Sequence, residues 1–116
     1  MSGELEQPDT MDIDLPMVLA ALADPYRLAC VRNLAWHGET SCHDLHDLTG
    51  FESSKSTVSH HFRVMREAGV ISTRVSGVHR YSRLRRTDLQ ARFPGLLDAV
   101  LASASAVDSR QKGIRT

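Results

Sequence analysis

Polar and apolar positions along this chain follow a helical rhythm almost throughout. Leu15, Val18, Leu19 and Leu22 recur at i, i+3, i+4 and i+7, the stripe of an amphipathic helix. Asp14 is placed to cap it, and Pro16 falls in its first turn, where a missing N–H costs little. Asp24-Pro25 ends that helix and opens a second, with Asp24 as N-cap, a stripe of Leu28, Val31, Leu34 and Ala35, and Gly38 as its stop. Ser41-x-x-Asp44 opens a short third helix, with Leu45 and Leu48 as core contacts and Gly50 as terminator. After a brief turn, Ser54 can cap a fourth helix, 54–68, buried along Val58, Phe62 and Met65 and stopped by Gly69.

Beyond Gly69 the period changes to two. VISTRV and HRYSRL flank Ser76-Gly77-Val78 and predict a two-stranded hairpin. Thr87-x-x-Gln90 reads as a capping box for a last helical region carrying Leu89, Phe93, Leu96, Leu97, Val100 and Leu101. Pro94-Gly95 should split that region into two pieces. Residues 1–13 contain Pro8 and no periodicity, and the chain turns polar again from Ser105, so both ends read as disordered tails. Helix, helix, short helix, turn, long helix, hairpin, helix is the order of a winged helix-turn-helix, a mainly α fold with a small β-hairpin. The expected organisation is an acidic tail 1–13, one domain 14–104 and a polar tail 105–116.

Charge sharpens this picture. The net charge over 116 residues is zero, which hides a change of sign. From Met1 to Ser54, two basic residues stand against ten acidic ones, giving −8. From Lys55 to Arg92, nine basic residues stand against Glu67 and Asp88, giving +7; the remainder adds +1. A basic block backed by an acidic scaffold points to a polyanion-facing segment, the alternative being a mixed solvated surface. Aromatic residues make up only 5%, which argues against a base-stacking single-strand binder. No stretch approaches the roughly 20 apolar residues of a membrane helix. MSGELEQPDTMDID also lacks the order of a signal peptide, so a cytoplasmic chain with no membrane partner is expected. Cys30 and Cys42 are too few for a disulfide framework. No nucleophile–base pairing, phosphate loop or paired carboxylates supports an enzyme.

Double-stranded DNA is the polyanion that the pattern suits. A recognition helix buries one face while offering donors and small polar groups to the major groove. In helix 54–68, Ser56, Ser59, His60 and Arg63 lie opposite Val58, Phe62 and Met65, with Lys55 and Thr57 near the N-terminal end. The free N–H groups there can receive a phosphate. Ser54 reads as a cap alone, and His61, beside the apolar stripe, as packed. Arg74, His79, Arg80, Arg83, Arg85 and Arg86 cluster in and just after the hairpin, suiting a wing, 70–86, that lies along the phosphate backbone.

At SKSTVSHHFRVMREAGVI the chain resembles the ArsR/SmtB family of bacterial winged-helix repressors, a likeness extending from LADPYRL through GVHRYSRL. The resemblance implies a homodimer joined through its first and last helices, with Leu15–Leu22 and Leu96–Leu101 forming the seam. It implies repression by covering operator DNA, with release on binding of a metal ion or on oxidation. It also implies that Ser56, Thr57, Ser59 and His60 match the family's recognition-helix contacts. A twofold dimer would set its recognition helices about 34 Å apart on a pseudo-palindromic operator.

The effector is less legible. Where family metal sensors carry E-L-C-V-C-D-L, this chain has Glu39-Thr40-Ser41-Cys42-His43-Asp44-Leu45, with Ser41 and His43 at the two cysteine positions. The last-helix D-x-H pattern meets Asp88-Leu89-Gln90, and no histidine follows His79. The expectation is therefore no cofactor and no intact metal site. A non-standard nickel or zinc site built from His37, His43, Asp44, His46 and Asp47 is the alternative, as is a small-molecule or protein effector. A winged-helix module that binds a partner protein with the same surface is the remaining reading.

Overall fold

The structure is a computed structural model in which residues 3–104 are described. Helices α1 (Leu15–Leu22) and α2 (Pro25–His37) begin as their acids dictate. Asp14 accepts from the Met17 N–H at 3.3 Å and Asp24 from the Arg27 N–H at 3.0 Å, each satisfying an orphan donor of the first turn. Ser41 does the same for α3 (Cys42–Thr49), accepting from the Asp44 N–H at 3.1 Å. Ser54 caps α4 (Lys55–Glu67) through the Thr57 N–H at 3.3 Å. α3 and α4 with the turn between them form the helix-turn-helix.

The last helical region divides as expected, into α5 (Arg86–Arg92) and α6 (96–104) on either side of Pro94-Gly95. The proposed capping box at its start does not form. Arg85 is the N-cap residue of α5, and Gln90 instead accepts from the Gly95 N–H at 3.1 Å. Arg85 ties its guanidinium to Asp88 at 3.0 Å and to the Pro8 carbonyl at 2.6 Å, and those contacts displace Thr87 as the helix start.

The hairpin is the centre of a four-stranded antiparallel sheet in the order β1-β3-β4-β2, with β1 Gly3–Glu4, β2 Thr40–Ser41, β3 Ile71–Ser76 and β4 His79–Leu84. Ser76 faces His79 across a two-residue turn, in which Gly77 has φ of 62° and Val78 does not have a positive φ. That pattern suits a type II′ turn, whose twist matches the strands it joins.

Residues 3–13 depart from the disorder expected of them. β1 pairs with the free edge of β3, Gly3 opposite Val75 and Glu4 opposite Arg74. The Leu5 N–H extends the pairing to the Thr73 carbonyl at 2.9 Å, and Gln7 bonds Ser72 and the Thr73 N–H. A 3-10 turn at Thr10–Asp12 then delivers Ile13 into the core. An exposed strand edge and a hole for one isoleucine order a segment that has no period of its own.

The core runs between the helices and the sheet, with Val18, Val31, Leu34, Leu45, Met65 and Ile71 buried almost completely. Removing one such side chain from water contributes about 1.5–3 kcal/mol. Leu48, expected inside, is exposed. Leu15 and Leu19 are exposed too, so α1 buries only Val18, Ala21 and Leu22.

Candidate nucleic-acid interface

α4 divides cleanly. Phe62 and Met65 are buried and Val58 packs against the core, which fixes the helix's rotation. Lys55, Ser56, Thr57, Ser59, His60 and Arg63 are all exposed. Ser54 does act as a cap, and its hydroxyl also donates to the Thr57 hydroxyl at 3.0 Å and lies 3.2 Å from that of Ser56. Arg63 stands 3.2 Å from His60 Nδ1, one turn back on the same face. The helix therefore presents hydroxyls at its N-terminal end, where orphan N–H groups gather, and an imidazole–guanidinium pair further along.

His61 is half-hidden on the other side, as its place beside the stripe suggests. Its ring stacks on Tyr26 at 4.7 Å, and Nδ1 lies 2.9 Å from the Arg27 guanidinium. Burial is the first cause that holds its pKa below 6.5, with Asp24 pulling the other way and Arg27 and His60 adding to the depression. Tyr26 was not legible as a site residue, yet it joins the elements of the helix-turn-helix. Its hydroxyl meets His46 Nδ1 of α3 at 2.8 Å, and its ring meets Phe51 of the turn edge-on at 5.6 Å.

On the wing, the expected phosphate contacts separate into two groups. His79 and Arg80 are exposed at the tip beside Gly77-Val78, and their side chains make no hydrogen bond or ion pair among the described residues. Arg74 is engaged: it forms a two-point bond with Glu39 at 2.8 and 3.0 Å and lies over the Tyr81 ring at 4.6 Å. That bond holds Glu39 below its ordinary carboxylate pKa. Arg83 reaches Glu4 at 3.5 Å, and Arg85 is a nearly buried staple to Asp88 and Pro8. Arg74, Tyr81 and Arg83 share one sheet face with Glu4, so that face is largely self-neutralised.

Among the described residues, one group could hold a metal ion. His43, Asp44 and Asp47 bring one ligand atom each within 4.8 Å of one another, all exposed. His46, included in the expected nickel or zinc set, is turned away to Tyr26. Both thiols are pushed up, above all by burial, Cys30 to about 12. Each is thus protonated at neutral pH and a poor nucleophile. Cys42 sits 3.5 Å from the Ser82 hydroxyl, which in turn lies 3.1 Å from that of Thr73.

Residues 22–74 match the family profile described as a helix-turn-helix domain. The uncharacterized HTH-type transcriptional regulator YceK of Bacillus subtilis (strain 168) is 36% identical over 84 residues, 72% of this chain and 82% of that one. This chain belongs to the helix-turn-helix transcriptional regulators. Solved structures agree with that placement. A possible transcriptional regulator for arsenical resistance superposes with a TM-score of 0.58 at 32% identity, over 80% of this chain and 96% of that one. The transcriptional repressor BigR from Xylella fastidiosa gives 0.59 at 28% identity, over 76% and 83%. An ArsR family transcriptional regulator gives 0.61 at 21% identity, over 90% and 97%, a likeness of fold. The proteins that this chain is similar to are named as transcriptional regulators. Among the described residues, no helix is long and apolar enough to cross a membrane.

Proposed function

We propose that this chain is an ArsR-type regulator that represses transcription as a homodimer on a pseudo-palindromic operator. α4 enters the major groove, with Lys55, Ser56, Thr57, Ser59, His60 and Arg63 toward the DNA. The wing tip, with His79 and Arg80, lies on the backbone. The observation that carries this reading is the division of α4, one face locked in the core and the other bearing exposed hydroxyls, an imidazole and two cations. Exposed Leu15 and Leu19, one turn apart on α1, support the dimer, since apolar side chains left uncovered on one face of a small domain call for a partner. On the C-terminal side, Leu97 is already committed to the chain's own core, while Leu96, Val100 and Leu101 are only partly covered. The repressor named among the similar structures supports repression as the direction of control.

A shift assay on the DNA upstream of its own gene tests the reading. Wild type should bind with an affinity that falls steeply with salt, and Arg63→Ala should lose about 1–3 kcal/mol if it reads a base edge. Binding that is insensitive to salt, or equal in the variant, would sink it. As a second reading, the His43–Asp44–Asp47 cluster favours a nickel- or zinc-responsive regulator. Calorimetric titration of wild type and His43→Ala decides that; equal heats in the two remove the cluster.

A further inference from the structure

The recognition helix is held by a polar bridge as well as by its apolar face. Arg27, in the first turn of α2, is the middle of that bridge. Its Nε donates to the Ala21 carbonyl at 2.8 Å, and one terminal nitrogen donates to the Ala20 carbonyl at 3.2 Å. Both carbonyls belong to the last turn of α1, and that of Ala20 also accepts from the Ala23 N–H at 3.3 Å. The other terminal nitrogen stands 2.9 Å from Nδ1 of His61 on α4. A guanidinium only donates, so Nδ1 accepts and the neutral ring carries its proton on Nε2.

The surroundings hold this arrangement in place. The His61 ring is stacked on Tyr26, itself bonded to His46, and its side chain is only 13% exposed. Asp24 Oδ2 lies 3.9 Å from Nδ1, and His60 is the neighbouring ring on α4. His60 is also the residue that pairs with Arg63 on the exposed face. A shift of α1's last turn would therefore pull on His61, and through the backbone of α4 on its neighbour His60. α1 carries the uncovered Leu15, Met17 and Leu19, so it is the helix on which a partner would act.

We propose that Arg27 and His61 are a positioning pair for the recognition helix, coupling the last turn of α1 to the DNA-facing residues of α4. Neither residue touches DNA; both set where His60 and Arg63 stand. The inference rests on the DNA-binding reading above and assigns a transmission path within it.

His61→Phe separates this role from simple packing. It keeps an aromatic ring on Tyr26 and leaves Arg27 on the α1 carbonyls, so only the bridge is cut. Arg27→Met cuts the bridge and the α1 cap together. With fluorescence anisotropy on the footprinted operator at pH 7.5, each variant should bind about tenfold more weakly, a coupling within the range seen for contacting residues. The double variant should bind no more weakly than Arg27→Met alone. The His61 ring, followed by NMR, should titrate higher in Arg27→Met than in wild type. A purely structural Arg27 would instead lower the melting temperature of Arg27→Met and leave His61→Phe at wild-type affinity. That result, or losses that multiply in the double variant, overturns the pair while the DNA-binding reading stands. Should Arg27→Met not fold, His61→Phe decides alone. Wild type that fails to bind any upstream fragment overturns the DNA-binding reading itself, and the pair with it.

Discussion

Gly69 stands where the recognition helix, the wing and the N-terminal segment meet, and alanine there should be costly for reasons that can be separated. The glycine ends α4 in a Schellman turn: the Val70 N–H reaches the Met65 carbonyl at 3.0 Å and the Gly69 N–H the Arg66 carbonyl at 3.0 Å. Its φ is 83°, a left-handed conformation that costs an L-residue about 1–2 kcal/mol. A Cβ at this position would also lie 2.7 Å from Ile13 Cγ1, 3.0 Å from Ile13 Cδ1 and 3.3 Å from Pro8 Cγ. Ile13 is 1% exposed and cannot retreat without opening the core, and overpacking of this kind costs about 1–3 kcal/mol. Together Gly69→Ala should cost about 2–5 kcal/mol. Gly50→Ala is the matched control: φ is 73°, with nothing within 4 Å of the new carbon, so only the conformational cost of about 1–2 kcal/mol applies. Thermal unfolding by circular dichroism reads the difference, at roughly 4 °C per kcal/mol for a domain of this size. Adding Ile13→Ala to Gly69→Ala should cost less than its effect in wild type, since it also relieves the clash with the new carbon. Equal melting temperatures for Gly69→Ala and Gly50→Ala would refute the docking of Ile13 over the turn.

Two further outcomes follow from the same structure. Ser54→Ala removes the cap of the recognition helix and should cost about 1 kcal/mol in urea unfolding; an unchanged midpoint would show that the Thr57 N–H is served by water instead. Stability should also fall on mild acidification. The fold holds His61 below its ordinary 6.5, so the unfolded chain takes up more protons there, and unfolding free energy declines as pH drops below about 6.5. His61→Phe should flatten that decline, and an identical pH profile in the variant would assign the decline to other groups.

Local chemistry explains what could be read along the chain. Helix starts are carried by side-chain oxygens at fixed offsets, so Asp14, Asp24, Ser41 and Ser54 were visible as caps and act as caps. The exposed face of α4 was equally visible, because a period of 3.6 places Ser56, Ser59 and Arg63 once Phe62 and Met65 are inside. Periodicity names the side of a helix but not what covers it, which is why Leu48 lies outside the core. The N-terminal segment escaped for a related reason. Its partner is β3, some seventy residues away (Gly3 against Val75), and its one buried anchor, Ile13, has no repeat to announce it. The cluster around Tyr26 is likewise assembled from α2, α3, α4 and the turn, with no local signal in any of them.

Charge shows most clearly how folding changes what sequence suggests. The acidic first half and the basic second half are not two separate surfaces, because the fold brings their charges together. Glu4 and Glu39 come from either side of the sheet and engage Arg83 and Arg74, while Asp88 holds Arg85. These ion pairs are largely at the surface, and each contributes little to stability, typically below about 1 kcal/mol. Their effect is on where positive potential is left uncompensated. Among the described residues, exposed cations without a carboxylate partner include Lys55 and Arg63 along α4, Arg80 at the wing tip and Arg86 at the start of α5. A backbone phosphate approaching the flat of the wing meets arginines that already have carboxylates, whereas one approaching the helix or the tip does not. On the DNA-binding reading, affinity is therefore concentrated on the same helix that carries the base-reading side chains. Distributing that charge over the whole wing would instead have strengthened binding to any sequence.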